Sequence, residues 1–453
     1  MDLSKMIANI EHYDILGVGF GPANISLAIA LEELMPDVRI KFLEKRSYSI
    51  WQPEMLISRS DIQNHPLRDL VTLRNPRSNY TFTNFLYKQG RLFDYLNTGL
   101  IFPFRKEYAQ YIKWVADHFK HWVKYNQNVV SIDVYYKDSI RGGYSVTTES
   151  GNVYVAKSVV LAPGRTPYIP TPFEKVESDR IFHLTQYLNS VKKWQQEQSI
   201  QRIAVIGGSQ SAVELMLDLS NKFPQAEIIG IVRNFGYRLK DTSPFMGEVF
   251  FPQFVDYYYH VDQKSKEYLN KDIRYTNYSA VDADVLNELY LKMYEQKIDC
   301  NQKIFVKNNM QIINVQVDTE NIILSTFEKH LKVTKLEVFD FIVLATGFRN
   351  MGVREDEERY PPLLDSLKNY LKINSNGNLH VNHDYSIELT DDISSDSPLF
   401  INGLCESSHG IGDAGSFSLL SLRSEIIVNG LKRRMNMALN SLNNKSFIRP
   451  VRL

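Results

Sequence analysis

The segment YDILGVGFGPANISLAIALEEL, from Tyr13, constrains this chain more than any other. A short apolar strand runs into Gly17-x-Gly19-x-Gly21-Pro22, and a helical apolar pattern follows through Ile25, Leu27, Ala28 and Leu31. The first glycine permits a tight turn, and the second lets the backbone approach a pyrophosphate resting on the helix N-terminus. Pro22 stands where a third glycine is usual and suits a first helical turn. The strand Ile40-Lys41-Phe42-Leu43-Glu44 comes next, and Glu44 closes it where an acid can accept hydrogen bonds from a ribose. Strand, glycine turn, helix, strand and acid in this order predict a dinucleotide site rather than a plain structural turn. An N-terminal site of this kind usually holds FAD.

A second unit of the same kind opens at Arg202-Ile203-Ala204-Val205-Ile206-Gly207. Its turn reads Gly207-Gly208-Ser209-Gln210-Ser211-Ala212, so G-x-G-x-x-A is met at Gly207 and Ala212 while Ser209 replaces the middle glycine. Serine still admits a phosphate, less closely. Arg233 follows the next strand, Glu227–Val232. An arginine there suits the 2′-phosphate of NADP better than the ribose hydroxyl of NAD; a surface arginine after a strand is the plainer alternative. The stretch from about Phe235 to Lys297 is aromatic and helical in period, and predicts an insertion covering a site. Strands are expected near Ser131–Tyr136, Tyr144–Thr148, Ser158–Leu161 and Phe341–Leu344, and helices around Tyr108–Val115 and Ser418–Met435.

Composition removes other classes. The 453 residues exceed one ordinary core. Lys plus Arg and Asp plus Glu both total 52, so the formal charge is zero and an electrostatic nucleic-acid binder is not expected. The abundant Tyr and Phe suit aromatic-lined ligand sites or ordinary core packing alike. Cys300 and Cys405 form no CxxC; no dithiol relay or zinc cluster is expected, and both read as buried thiols in a reducing cytosol. The polar start Met1-Asp2-Leu3-Ser4 lacks a signal pattern, and no apolar run approaches the ~18 residues of a membrane span. A cytoplasmic protein is expected. His65, His183 and His409 lack metal-ligand spacing, so no metal is expected. The basic cluster Lys432-Arg433-Arg434 reads as a solvated helix face.

Further motifs carry a resemblance. The opening GVGFGPANISLA, Trp51 with Met55, Gln63, RDLVTLRNPRSNYTFTNFLYKQGRL from Arg68, and FPFRKEYAQYIKWVA from Phe102 are joined by TPYIP, SPFMGEVF from Ser243, TNYSAVD from Thr276, and LATGF from Leu344. In that order they resemble the microbial N-hydroxylating flavin monooxygenases of siderophore biosynthesis, which act on ornithine, lysine or diamines. The resemblance implies an α/β fold with two Rossmann-like domains, for FAD and NADPH, and a small helical substrate region. Residues 1–190 and 351–453 would form the FAD domain, and 191–350 the NADPH domain with the helical insertion at about 240–300. It implies that Gly17, Gly19, Gly21, Pro22, Glu44, Trp51, Thr346 and Gly347 hold FAD or complete its site, and that Gly207, Ser209, Gln210, Ser211 and Arg233 hold NADPH. It implies reaction of a neutral amine with a 4a-hydroperoxyflavin formed from O2, with Gln63 beside the isoalloxazine and Asn277 contacting substrate and cofactor. Homo-oligomers, dimer or tetramer, are common in the family.

Two departures bear on the substrate. Arg68 stands where the ornithine and lysine enzymes carry a lysine that pairs with the substrate carboxylate. Gly247 stands where they carry an asparagine that holds the amino-acid head group. Arginine can bind a carboxylate in a bidentate pose, but glycine offers no side-chain donor. The loop HGIGDAGSFSLLSLR, from His409, is longer than the family pattern. These departures predict a carboxylate-free amine (histamine, putrescine or cadaverine), with ornithine or lysine as the alternative. An uncoupled NADPH oxidase and a flavin- or NADP-binding regulatory protein without turnover are the rival readings.

Overall fold

The structure is a computed structural model that describes residues 11–137, 140–196, 200–319, 321–390, 397–413 and 416–435. The Met1–Ser4 start lies outside them, as do Ala414 and Gly415 of the loop after His409.

Apolar β1 (Glu11–Val18) leads through the first glycine turn into α1 (Pro22–Leu34) and β2 (Ile40–Leu43). Pro22 is the first residue of α1, where its missing N–H costs nothing. Helices α2 (Phe82–Lys88), α3 (Leu92–Thr98) and α4 (Arg105–His118) follow. In α4, Tyr108, Tyr111, Ile112 and Val115 line the buried face, as their spacing predicts. Then come β3 (Val123–Lys124), β4 (Val129–Lys137), β5 (Ile140–Thr148) and β6 (Val153–Leu161). These strands form one sheet in the order β3-β2-β1-β6-β5-β4. The β1–β2 and β1–β6 pairs are parallel, and β4–β5 and β5–β6 antiparallel.

The second unit contains β7 (Ile181–His183), α5 (Tyr187–Trp194), β8 (Arg202–Ile206), α6 (Gln210–Lys222) and β9 (Glu227–Ile231). Helices α7 (Pro252–His260), α8 (Gln263–Asp272) and α9 (Ala283–Ile298) occupy the aromatic stretch. After β10 (Ile304–Lys307), three strands, β11 (Met310–Val317), β12 (Ile322–Glu328) and β13 (Val333–Phe339), make a separate antiparallel sheet that the sequence reading did not expect. β14 (Phe341–Leu344) completes a second, parallel sheet in the order β10-β9-β8-β14-β7.

The chain then returns to the first sheet. β15 (Leu399–Ile401) pairs in parallel with β6, Leu399 opposite Val159. Helix α10 (Leu420–Arg434) packs against α1. Burying Ile427, Val428 and Leu431 of α10 in the core shared with Ile25, Leu27 and Leu31 ties residues 400 positions apart into one hydrophobic body. This is an α/β molecule with two Rossmann-like sheets. One expectation is corrected: Cys405 is buried, but Cys300 is exposed. Cys300 lies just beyond α9 with a left-handed backbone, φ +51°.

Candidate active site

The first glycine turn is built around close approaches. A Cβ on Gly17 would lie 2.1 Å from the Phe42 ring, so β1 and β2 can close only over glycine. Gly19 has φ +83°, and its Cβ would sit 2.4 Å from the carbonyl oxygen of Ala162. Gly21 caps α1, and nothing lies within 4 Å of its Cβ position. That open space at a helix N-terminus fits a pyrophosphate. Glu44 is buried at the end of β2 and accepts the N–H groups of Phe20 at 2.7 Å and Arg46 at 3.0 Å. A carboxylate has lone pairs beyond two such bonds.

Beneath this turn runs a buried network that the sequence reading missed. Asn24 donates to Gly19 O at 2.8 Å, and Asn402 donates to Asn24 Oδ1 at 3.1 Å. Arg423 donates to Asn402 Oδ1 at 2.9 Å and to the Asp413 carboxylate at 3.0 Å. Polar residues scattered over 400 positions have no local signature; Asn24, just inside the helix after the glycines, was the one available hint.

At the second turn, Gly207 has φ +156° and its Cβ would approach Ala345 O to 2.4 Å. Ser209 caps α6 in extended conformation, with its hydroxyl not spent on the helix. Gln210 is buried, Ser211 half-buried, and Arg233 exposed just beyond the end of β9. Thr346 and Gly347 follow β14: the Thr346 hydroxyl donates to Tyr168 O, and Gly347 O accepts from Tyr168 N–H at 2.9 Å and from the His183 ring at 2.9 Å. Burial pushes His183 down to about 4, so that ring is neutral at pH 7.

Between the two turns lie the other candidates. Asp69 organises the block after Arg68: its carboxylate accepts Phe82 N–H at 2.7 Å, Val71 N–H at 2.9 Å and Thr72 N–H at 2.6 Å. Asn64 donates to Arg68 O at 2.9 Å, closing the preceding loop. Gln63 has a left-handed backbone, φ +53°, and its amide donates to Asp282. The Trp51 ring meets Phe417 edge-on at 5.2 Å and Tyr108 at 6.0 Å. The Arg68 guanidinium is half-buried; it lies 5.8 Å from the Phe250 ring centre and makes one long bond to Ser418 Oγ at 3.4 Å. Among the described residues no carboxylate pairs with it. Burial lowers its pKa from the usual guanidinium value, the mark of a charge short of partners. Phe417 and Ser418 bring the loop after His409 beside Trp51 and Arg68.

Gly247 lies in the short helical stretch Met246–Phe250, with open space at its Cβ position. Asn277 closes the short helix Ile273–Thr276; its carboxamide makes no hydrogen bond with the described residues. Its neighbour Tyr278 is anchored, the hydroxyl donating to Glu406 Oε2 at 2.7 Å while accepting from Arg165 at 2.7 Å. Exposed His65 accepts the Arg68 N–H through its carbonyl oxygen at 2.8 Å, and its ring Nδ1 accepts the Leu67 N–H at 3.2 Å. Among the described residues no three His, Cys, Asp or Glu side chains could hold a metal, and no helix is long and apolar enough to cross a membrane.

Comparison with known proteins identifies the family. The sequence model of the L-lysine 6-monooxygenase/L-ornithine 5-monooxygenase family matches residues 11–350. L-ornithine N(5)-monooxygenase of Pseudomonas aeruginosa is 32% identical over 96% of this chain and 96% of its own. The solved ornithine hydroxylase of that organism superposes with a TM-score of 0.85, covering 93% of this chain and 99% of that one. The ornithine N-hydroxylase of Kutzneria sp. 744, solved with reduced FAD, NADP⁺ and L-ornithine, has a TM-score of 0.86 at 28% identity, covering 93% and 99%. L-lysine 6-monooxygenase from Pseudomonas syringae gives 0.83 at 30% identity, covering 93% and 100%. Ornithine and lysine enzymes thus dominate the relatives, which favours the amino-acid alternative over a carboxylate-free amine. The chain belongs to the lysine/ornithine N-monooxygenase family, the FAD- and NADPH-dependent flavoenzymes that hydroxylate a nitrogen in siderophore biosynthesis.

Proposed function

We propose that this enzyme hydroxylates the side-chain amine of a basic amino acid of the ornithine–lysine class, with Arg68 receiving the substrate carboxylate. The observation that carries this reading is Arg68 itself: a half-buried guanidinium that lacks a carboxylate partner among the described residues, beside Phe250 and Ser418. A planar fork of donors in that setting fits a substrate carboxylate. The relatives' substrates point the same way.

The cofactor sites belong to the proposal residue by residue. Gly17, Gly19, Gly21, Pro22 and Glu44 would hold FAD, with Trp51, Thr346 and Gly347 around it; Gly207, Ser209, Gln210, Ser211 and Arg233 would hold NADPH. When bound, the flavin supplies oxygen activation and NADPH the electrons, so that one atom of O2 goes to the amine and the other to water. The protein orients the amine and excludes water. Trp51, Phe417 and Phe250 supply apolar walls, which favour the neutral, nucleophilic amine over the ammonium ion. Gln63 would face the isoalloxazine. The unclaimed carboxamide of Asn277 would meet the amine, held in place through Tyr278, Glu406 and Arg165. Residues 1–190 with 351–453 would act as the FAD domain and 191–350 as the NADPH domain, with 240–300 supplying the substrate region. A cytoplasmic location and homo-oligomeric assembly complete the reading.

Gly247 favours a second reading. Its open Cβ position offers no donor to an amino-acid head group, a loss of about 1–3 kcal/mol for a buried contact. A carboxylate-free amine such as histamine, putrescine or cadaverine would not need that donor. Steady-state kinetics on all five amines separates the two readings. Higher kcat/KM for ornithine or lysine upholds the first; higher kcat/KM for any of the other three replaces it with the second.

A further inference from the structure

Two carboxylates hold Gln63. Asp61 Oδ1 accepts its backbone N–H at 2.8 Å, and Asp282 Oδ2 accepts from its side-chain Nε2. The left-handed backbone, φ +53°, is costly for a residue with a side chain and persists only where its surroundings impose it. A carboxylate can only accept. Asp282 therefore draws the NH2 end of the Gln63 carboxamide toward itself and leaves Oε1 for the other side.

Asp282 is itself placed for another task. It is the N-cap of α9, with φ −65° and ψ 149°, yet its side chain accepts no bond from that helix. Capping by Asp normally stabilises a helix; here the carboxylate is turned to Gln63, with Lys240 Nζ 3.5 Å from its other oxygen. The backbone N–H of Asp282 donates to Gln210 Oε1 at 2.9 Å. Gln210 is the first residue of α6, directly after the second glycine turn, and its Nε2 donates to Glu214 at 3.2 Å. Glu214 is paired with Arg105 at 3.0 Å, which also bonds Met55 O at 2.9 Å. A continuous set of buried and half-buried contacts thus joins the second nucleotide turn to Gln63.

We infer that Asp282 is a positioning residue of the hydroxylation: it sets the orientation of the Gln63 carboxamide and ties that orientation to the helix that opens the second nucleotide site. The inference rests on Gln63 facing the flavin. It is tested with the FAD-loaded full chain as Asp282→Asn, Asp282→Ser, Gln63→Ala and the double variant Gln63→Ala/Asp282→Asn. Asn can present either its oxygen or its NH2, so the Gln63 amide is free to turn over. Hydroxylamine formed per NADPH oxidised should fall roughly tenfold in Asp282→Asn, with kcat reduced and KM for the amine little changed. The visible circular dichroism of bound FAD should change as it does in Gln63→Ala, and the melting temperature should move by less than about 2 °C. Asp282→Ser can cap the helix, as the native side chain does not, but cannot make the bond to Gln63, so its coupling should stay low. The double variant should be no worse than Gln63→Ala alone. Additive losses in the double variant, normal coupling in Asp282→Asn, or recovery in Asp282→Ser would overturn the inference while leaving Gln63 in its role. Normal coupling and an unchanged flavin spectrum in Gln63→Ala would remove both.

Discussion

Replacing Arg68 by Met isolates the carboxylate contact. Methionine keeps the apolar contact with Phe250 and removes the charge. The guanidinium has little to lose in the empty protein, one long bond to Ser418 and the Phe250 ring, so stability should change by less than about 1 kcal/mol. With substrate bound the loss is larger. A hydrogen bond to a charged group contributes about 1.5–3 kcal/mol. At about 1.4 kcal/mol per decade, kcat/KM for ornithine or lysine should fall some ten- to 150-fold. Cadaverine and putrescine carry no carboxylate, so their kcat/KM should fall less than about threefold. The assay is hydroxylamine formation by purified FAD-loaded enzyme at saturating NADPH over a range of amine concentrations. Equal losses on amino acids and diamines would refute the reasoning, because Arg68 would then act on the site as a whole rather than on a head group.

Other consequences follow from the same geometry. Gly19→Ala puts a Cβ 2.4 Å from Ala162 O at φ +83°, so its affinity for FAD, titrated by flavin fluorescence, should drop by at least about tenfold; unchanged affinity would contradict the turn's assigned role. Arg105→Met leaves the buried Glu214 without its cation, and chemical denaturation should show a loss of about 3–5 kcal/mol. Acid should destabilise the protein through two histidines: burial pushes His183 and His409 down to about 4, so the unfolded chain binds protons the folded one refuses, and stability falls as pH drops from about 6.5 toward 4. Asp61, pushed up to about 6 by burial, opposes this between its ordinary carboxylate value and 6. Melting temperatures across that range should decline, and less steeply in His183→Gln.

Much of the fold was legible because its signals are local. Apolar strand, glycines and helix stand side by side at Tyr13–Leu34, and the close approaches at Gly17, Gly19 and Gly207 are what those glycines predict. The period of Tyr108, Tyr111, Ile112 and Val115 located α4. The sheet β11–β13 escaped notice because β11 and β13 leave most residues exposed or half-exposed, so no alternating buried face marks them as strands. At the site, sequence alone reached single residues but not their partners. Gln63 and Asp282 are 219 positions apart, and Arg165 and Glu406 are 241 apart. Such pairs arise only when the returning C-terminal segment and the helical insertion close over the two sheets. Cys300 was misread because cysteine's usual burial gives no information on where the loop beyond α9 runs.

The most direct measurement is the fate of molecular oxygen. The FAD-loaded enzyme is given NADPH, ornithine or lysine, and oxygen-18 gas, and product mass and NADPH consumption are followed together. Transfer of one labelled atom to the side-chain nitrogen, with one hydroxylamine formed per NADPH oxidised, is the result the account predicts. NADPH oxidation that yields only peroxide, with no label on nitrogen from either amino acid, would contradict it.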